Sequence, residues 1–151
     1  MIYFFMLDKK DISPRHQPVL NSALAFESSD KMKIRQFLNV FQRQKNKIEK
    51  ALEKKWYRIR FSAGNCDEIK KTAFECERLF LKMEKEAYSS VNVARIKAAN
   101  IMARQLALDA TKLKTYVSAK KKNRRKIYRQ LLKVESDILK IDIHLNALLK
   151  D

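Results

Sequence analysis

The chain has 151 residues, a length that one domain usually fills, and its 34 Lys+Arg against 17 Asp+Glu leave a net charge of +17. With one glycine and two prolines, it lacks the turn formers of a β-sandwich or barrel and the glycines of P-loop or dinucleotide-binding turns. Composition therefore predicts an all-α protein with a strongly basic face.

Residues 1–28 read as an irregular N-terminal segment and 29–151 as the helical core. Both prolines, Pro14 and Pro18, lie in the first part and forbid a continuous helix there. The apolar run from Met1 to Leu7 is far short of the roughly 20 residues that span a bilayer, and it lacks the flanks of a signal peptide. A first helix is predicted over about 30–62, opened by the capping cluster Ser28-Ser29-Asp30. The single Gly64-Asn65 is a weak point, and a second helix follows over about 65–88. Ile34, Phe37, Phe41, Ile48, Leu52, Trp56, Ile59, Ala63, Cys66, Ala73, Phe80 and Met83 recur at helical spacing and mark one buried face. Trp56, Tyr57 and Phe61 read as core packers rather than a base-stacking platform. Cys66 and Cys76 form no CxxC pair and are remote from His16 and His144, so no metal site is expected. They read as small apolar packers in a reducing compartment.

A third helix is predicted over about 91–150. Its apolar series runs Ile96, Ala99, Ala103, Leu106, Ala110, Leu113, Val117, then Ile127 to Leu148, with Lys120 and Arg124 filling the gap. At 1.5 Å per residue such a rod is roughly 90 Å long, and a heptad pattern of that length asks for a partner. The half beyond residue 126 outreaches the second helix. It must fold back, meet another segment, or meet another copy, which makes Ile127, Leu131, Val134, Ile138, Ile141, Leu145 and Leu148 a candidate assembly seam.

Residues 91–134 hold thirteen Lys/Arg and one acid, Asp109, a net +12. Lys112, Lys114, Lys120, Lys121, Lys122, Arg124, Arg125 and Lys126 are the candidate membrane- or polyanion-binding residues. Like charges three or four residues apart weaken a helix, so a polyanion that neutralises the Lys120–Lys126 block makes physical sense of it. Anionic lipid and nucleic-acid phosphates both qualify. No catalytic constellation is present and no cofactor is implied, so the chain reads as a non-enzyme.

The segment Val93-Ala94-Arg95-Ile96-Lys97-Ala98-Ala99-Asn100 resembles the opening of the second core helix in ESCRT-III proteins, the charged multivesicular body family. The type 1 subclass is the most similar. Trp56-Tyr57-Arg58-Ile59-Arg60-Phe61-Ser62-Ala63 resembles the start of its basic first helix, and the family's hairpin turn would fall at Ser89-Ser90. The resemblance covers roughly residues 54–135. It implies a long antiparallel hairpin, with an open form whose second helix runs into the third. It also implies a cytoplasmic subunit, peripheral on endosomal or other membranes, that polymerises with itself or a related ESCRT-III subunit and remodels or severs them. The family's acidic helices and AAA ATPase-binding tail motif are not seen before Asp151, which implies a constitutively open, trimmed or divergent relative. Some relatives insert a short N-terminal apolar segment in the membrane, a role Ile2, Tyr3, Phe4 and Phe5 would take. Two other readings stand beside this one: a basic helical RNA-bound structural protein of a ribosome-like particle, and a coiled-coil adaptor.

Overall fold

A computed structural model describes residues 28–86 and 90–150. Four helices carry most of them: α1, Ser28–Leu52; α2, Ala63–Glu86; α3, Ser90–Ser118; and α4, Arg124–Lys150. One turn of 3-10 helix spans Trp56–Arg58. The described residues contain no strand, and the all-α class expected from composition holds.

Cross-helix polar contacts give the directions. Asp30 meets Lys82 at 3.0 Å and Gln44 meets Asn65 at 3.4 Å between α1 and α2. Glu77 meets Arg104 at 3.0 Å and Asp67 meets Lys114 at 2.9 Å between α2 and α3. The Gln130 side chain donates to the Asp109 carbonyl at 2.9 Å between α3 and α4. Residue numbers fall along one helix as they rise along the other in the first two pairs, and the short connection at 119–123 returns α4 along α3, so successive helices are antiparallel. α4 then packs against α1 and closes the square. The result is an up-down-up-down four-helix bundle.

Each helix buries one stripe. Ile34, Phe37, Phe41 and Ile48 of α1 face inward as their spacing predicts, and the gap in that series is filled by Gln44, itself fully buried. The α2–α3 pair is the most extensive. Its buried small residues, Ala73 and Cys76 on α2 with Ala99, Ala103, Ala107 and Ala110 on α3, let two backbones approach closely. Cys66 and Cys76 are free thiols inside this core. Burial pushes Cys66 up to about 12 and Cys76 well above its ordinary value, so neither is a ready thiolate.

Two expectations about helix boundaries are corrected. The first helix ends at Leu52, not 62. Arg58, Ile59, Arg60 and Phe61 alternate exposed, buried, exposed and half-buried, a period of two, and Ile59 has extended φ −66°, ψ 138°. Residues 53–62 are the connection that turns the chain. Gly64 is not the break; it sits in the first turn of α2, capped by Ser62, whose Oγ accepts from the Asn65 N–H at 3.0 Å. The second helix, expected over 65–88, begins at Ala63 and is described as far as Glu86; residues 87 and 88 lie outside the described residues.

The rod expected over 91–150 is two helices. α3 ends at Ser118, residues 119–123 turn the chain, and α4 restarts at Arg124 under an Asn123 cap, whose Oδ1 accepts from the Lys126 N–H at 3.1 Å. Positions 120 and 124 continue the heptad in number only: cations there give a continuous rod nothing to bury, and folding back hides the stripe beyond them. The expected assembly seam is therefore intramolecular. Ile127, Leu131, Val134, Ile138, Ile141, Leu145 and Leu148 are at most 1% exposed, all within the bundle. This is a closed arrangement, not the open rod that the resemblance implies. Ile2, Tyr3, Phe4, Phe5 and the turn residue Ser89 lie outside the described residues.

One polar layer crosses the core. Asp109 accepts from Gln105 Nε2 at 3.0 Å and shares a hydrogen bond with Asp137. Burial, then the hydrogen bond to Asp109 and the charge of Asp109, push Asp137 up to about 8. Two carboxyls this close in a dry site cannot both ionise. Asp137 therefore carries the proton at neutral pH and donates it to Asp109. Burial opposes the Asp109 charge, but the hydrogen bonds it accepts and nearby Lys133 hold it below the usual carboxylate range.

Candidate functional site: a cationic end and an acid-free outer face

The chain leaves α1 and enters α2 at the same end of the bundle where it leaves α3 and enters α4, so both described connections meet there. Residues 53–62 bring Lys54, Lys55, Arg58 and Arg60; residues 119–126 bring Lys120, Lys121, Lys122, Arg124, Arg125 and Lys126. Glu53 is the single acid in these two segments. Arg124 Nη1 donates to the Ile59 carbonyl at 2.7 Å and ties one connection to the other. Beside this bond opens a cavity of about 620 Å³, walled by Lys54, Lys55, Tyr57, Arg58, Arg60 and Arg124. Arg60 and Arg124 also line a neighbouring cavity of about 400 Å³, together with Lys122, Ile59, Phe61, Val117 and Ile127.

Trp56 and Tyr57 stand at this end, 43% and 46% exposed, rather than in the core as their spacing implied. Their rings meet edge to face at 5.5 Å. The Arg125 guanidinium lies 4.6 Å from the Trp56 ring centre and that of Arg58 lies 5.9 Å from Tyr57. These cation–π contacts, worth about 0.5–1 kcal/mol at exposed sites, hold the arginines over the rings with their charge still outward. Phe61 alone of the three packs partly against the core.

Six of the eight cations predicted from sequence gather here. The other two do not. Lys112 is exposed farther along α3, and Lys114 is held by Asp67 at 2.9 Å, so its charge is already compensated. Four cations were missed: Lys54, Lys55, Arg58 and Arg60. Their run was legible, but it was absorbed into a helix extended through Trp56 and Ile59.

A second feature lies along the sides of α3 and α4. Every exposed ionisable residue described on these two helices is Lys or Arg; the acids are buried, as Asp109 and Asp137 are, or half-buried, as Glu135 and Asp142 are. Among the cations stand large aliphatic side chains open to water: Ile101 at 60% and Leu108 at 63% on α3, and Leu132, Leu139 and Ile143 at 41–68% on α4. Spacings of four and seven put each set on one stripe. Burial pushes Asp142 up to about 6, with Lys45 of α1 opposing.

No helix among the described residues is long and apolar enough to cross a membrane, and no group of three or more His, Cys, Asp or Glu among them is placed to hold a metal ion. No family model, curated protein or solved structure matches the chain.

Proposed function

We propose that the protein is a non-enzymatic, peripheral membrane-binding bundle that docks its cationic end and α3–α4 face on anionic lipid and acts in membrane remodelling of the ESCRT-III type. It rests above all on the pairing of exposed aliphatics with cations and no exposed acid along α3 and α4. A lipid–water interface accepts both kinds of group, burying apolar side chains at its acyl boundary while anionic headgroups contribute about 1 kcal/mol per Lys or Arg. RNA accepts only the cations and leaves Ile101, Leu108 and Ile143 in water. Exposed Trp56 and Tyr57 among arginines are the one feature that favours an RNA-bound reading, since rings can stack on bases. They fit lipid headgroups equally well, because amphipathic aromatics collect at that level.

Self-polymerisation belongs to the same proposal and carries a condition. The stripe from Ile127 to Leu148 is inside the closed bundle, so assembly through it requires α4 to swing out about residues 119–123. An endosomal or other cytoplasmic surface is the expected location.

The test is co-sedimentation with vesicles of phosphatidylcholine alone or mixed with phosphatidylserine, followed by electron microscopy. Pelleting with the mixed vesicles only, and a fall of about tenfold for Leu108→Asn combined with Ile143→Asn at raised salt, are the expected results. Spirals or tubes on the anionic vesicles would support assembly. Equal pelleting with both vesicles, or a chain that arrives bound to nucleic acid and ignores lipid, would overturn the proposal.

A further inference from the structure

The cavity at the cationic end has a composition that general attraction to a charged surface does not require. Five of its six wall residues are cations, and no acid lines it. They converge from two chain segments, Lys54, Lys55, Arg58 and Arg60 from the α1–α2 connection and Arg124 from the first turn of α4. A cavity of about 290 Å³ between α1 and α2, away from this end, shows the contrast. There Lys33, Arg78 and Lys82 share the wall with Glu75, so part of the charge is compensated locally.

We infer that the larger cavity is a binding site for several phosphates clustered on one small ring, a polyphosphorylated inositol, either free or as a lipid headgroup. Charge fixes the number of phosphates. A phosphate monoester carries about −1.5 to −2 at neutral pH, so five cations call for roughly three phosphates rather than one. Side-chain type fixes their kind. Three of the five are arginines, whose planar forks match phosphate oxygens in pairs, while the two lysines supply adaptable point charges. Size fits as well: at about 620 Å³ the cavity is in the range of small-ligand sites. Preorganisation comes from Arg124. Its bond to the Ile59 carbonyl at 2.7 Å fixes the guanidinium, whose remaining N–H donors stay available. Tyr57 adds a ring and a hydroxyl to the wall, a surface suited to the carbon face and hydroxyls of a cyclitol. A single-stranded nucleic acid would need its cations and rings strung along a track; here they are focused on one end.

The lipid form of this inference rests on the membrane reading above, whereas the soluble form does not, and the experiment separates them. The full chain is titrated calorimetrically with inositol hexakisphosphate and, separately, with inorganic phosphate. It is also sedimented with vesicles containing either phosphatidylinositol bisphosphate or phosphatidylserine at matched total charge. One saturable site for the hexakisphosphate is expected, with inorganic phosphate at least about 100-fold weaker because it engages fewer cations at once. The variant Lys54→Gln/Lys55→Gln/Arg58→Gln, all exposed positions, should bind at least about tenfold more weakly with unchanged circular dichroism. Lys33→Gln/Arg78→Gln at the other cavity should bind as the parent does. A preference for bisphosphate vesicles that this triple variant abolishes assigns the lipid source; saturable hexakisphosphate binding with no vesicle preference assigns the free one. Binding to phosphatidylserine vesicles with no saturable hexakisphosphate site would overturn the inference and leave the membrane reading standing. Equal loss in the two sets of variants would also overturn it, since only net charge would then matter.

Discussion

Gly64 occupies the first turn of α2 with space around it: a Cβ built there would meet nothing nearer than Ser62 Oγ at 3.9 Å. The residue is therefore not required by a turn or a close approach, and its cost is the backbone freedom it loses on folding. Gly64→Ala should stabilise the protein by about 0.5–1 kcal/mol, read as a higher urea midpoint with an unchanged slope. Asp137 carries the opposite kind of cost. Its carboxyl titrates near 8 in the folded protein against an ordinary value of 3.8. A group raised in this way contributes stability that is full below pH 3.8 and lost as pH climbs toward 8. Asp137→Asn keeps a donor facing the Asp109 carboxylate and cannot ionise. Chemical denaturation at pH 5 and pH 9 should show the variant gaining on the parent as pH rises, by on the order of 1–3 kcal/mol at the alkaline end. A constant difference between the two pH values would show that Asp137 is not the group that titrates.

At the level of helices, the α4 stripe separates a bundle from a polymer. If Ile138 is a core residue of its own chain, as its full burial indicates, Ile138→Ala should lower stability by about 2–5 kcal/mol. The loss should be the same at every protein concentration, because no second chain is involved. A loss that vanished on dilution would instead mark an interchain seam. The inward faces of all four helices were legible, since a spacing of three and four decides which side of a helix is apolar. What periodicity cannot reveal is where a helix stops. Trp56 and Ile59 fall at helical spacing from Leu52 by coincidence, and the period-two alternation of Arg58 to Phe61 was the competing signal. Lys120 and Arg124 likewise preserve the count across a turn. Heptads describe a face, and they are silent on whether its partner is the same chain doubled back. Gln44, Gln130 and Asp137 were illegible for another reason. A polar residue at a core position looks like a gap until its partners across the bundle are known.

For the whole molecule, the net charge of +17 was plain in composition and its distribution was only half visible. Sequence density pointed to Lys120–Lys126. The antiparallel path of the chain then placed a second cationic connection, residues 53–62, at the same end of the bundle, which no one-dimensional count exposes. The charge of α3 and α4 was legible as an excess of Lys and Arg. That their few acids turn inward, leaving aliphatics and cations outside, required the fold.

The bond from Arg124 to the Ile59 carbonyl joins the two halves of the bundle at the point where their like charges push them apart. Any multivalent anion seated there relaxes that strain in the folded-back state alone, so occupancy and closure reinforce each other by linkage. The guest acts as a clasp. Stripped of it, the hairpin's own electrostatics become the force that loosens α4.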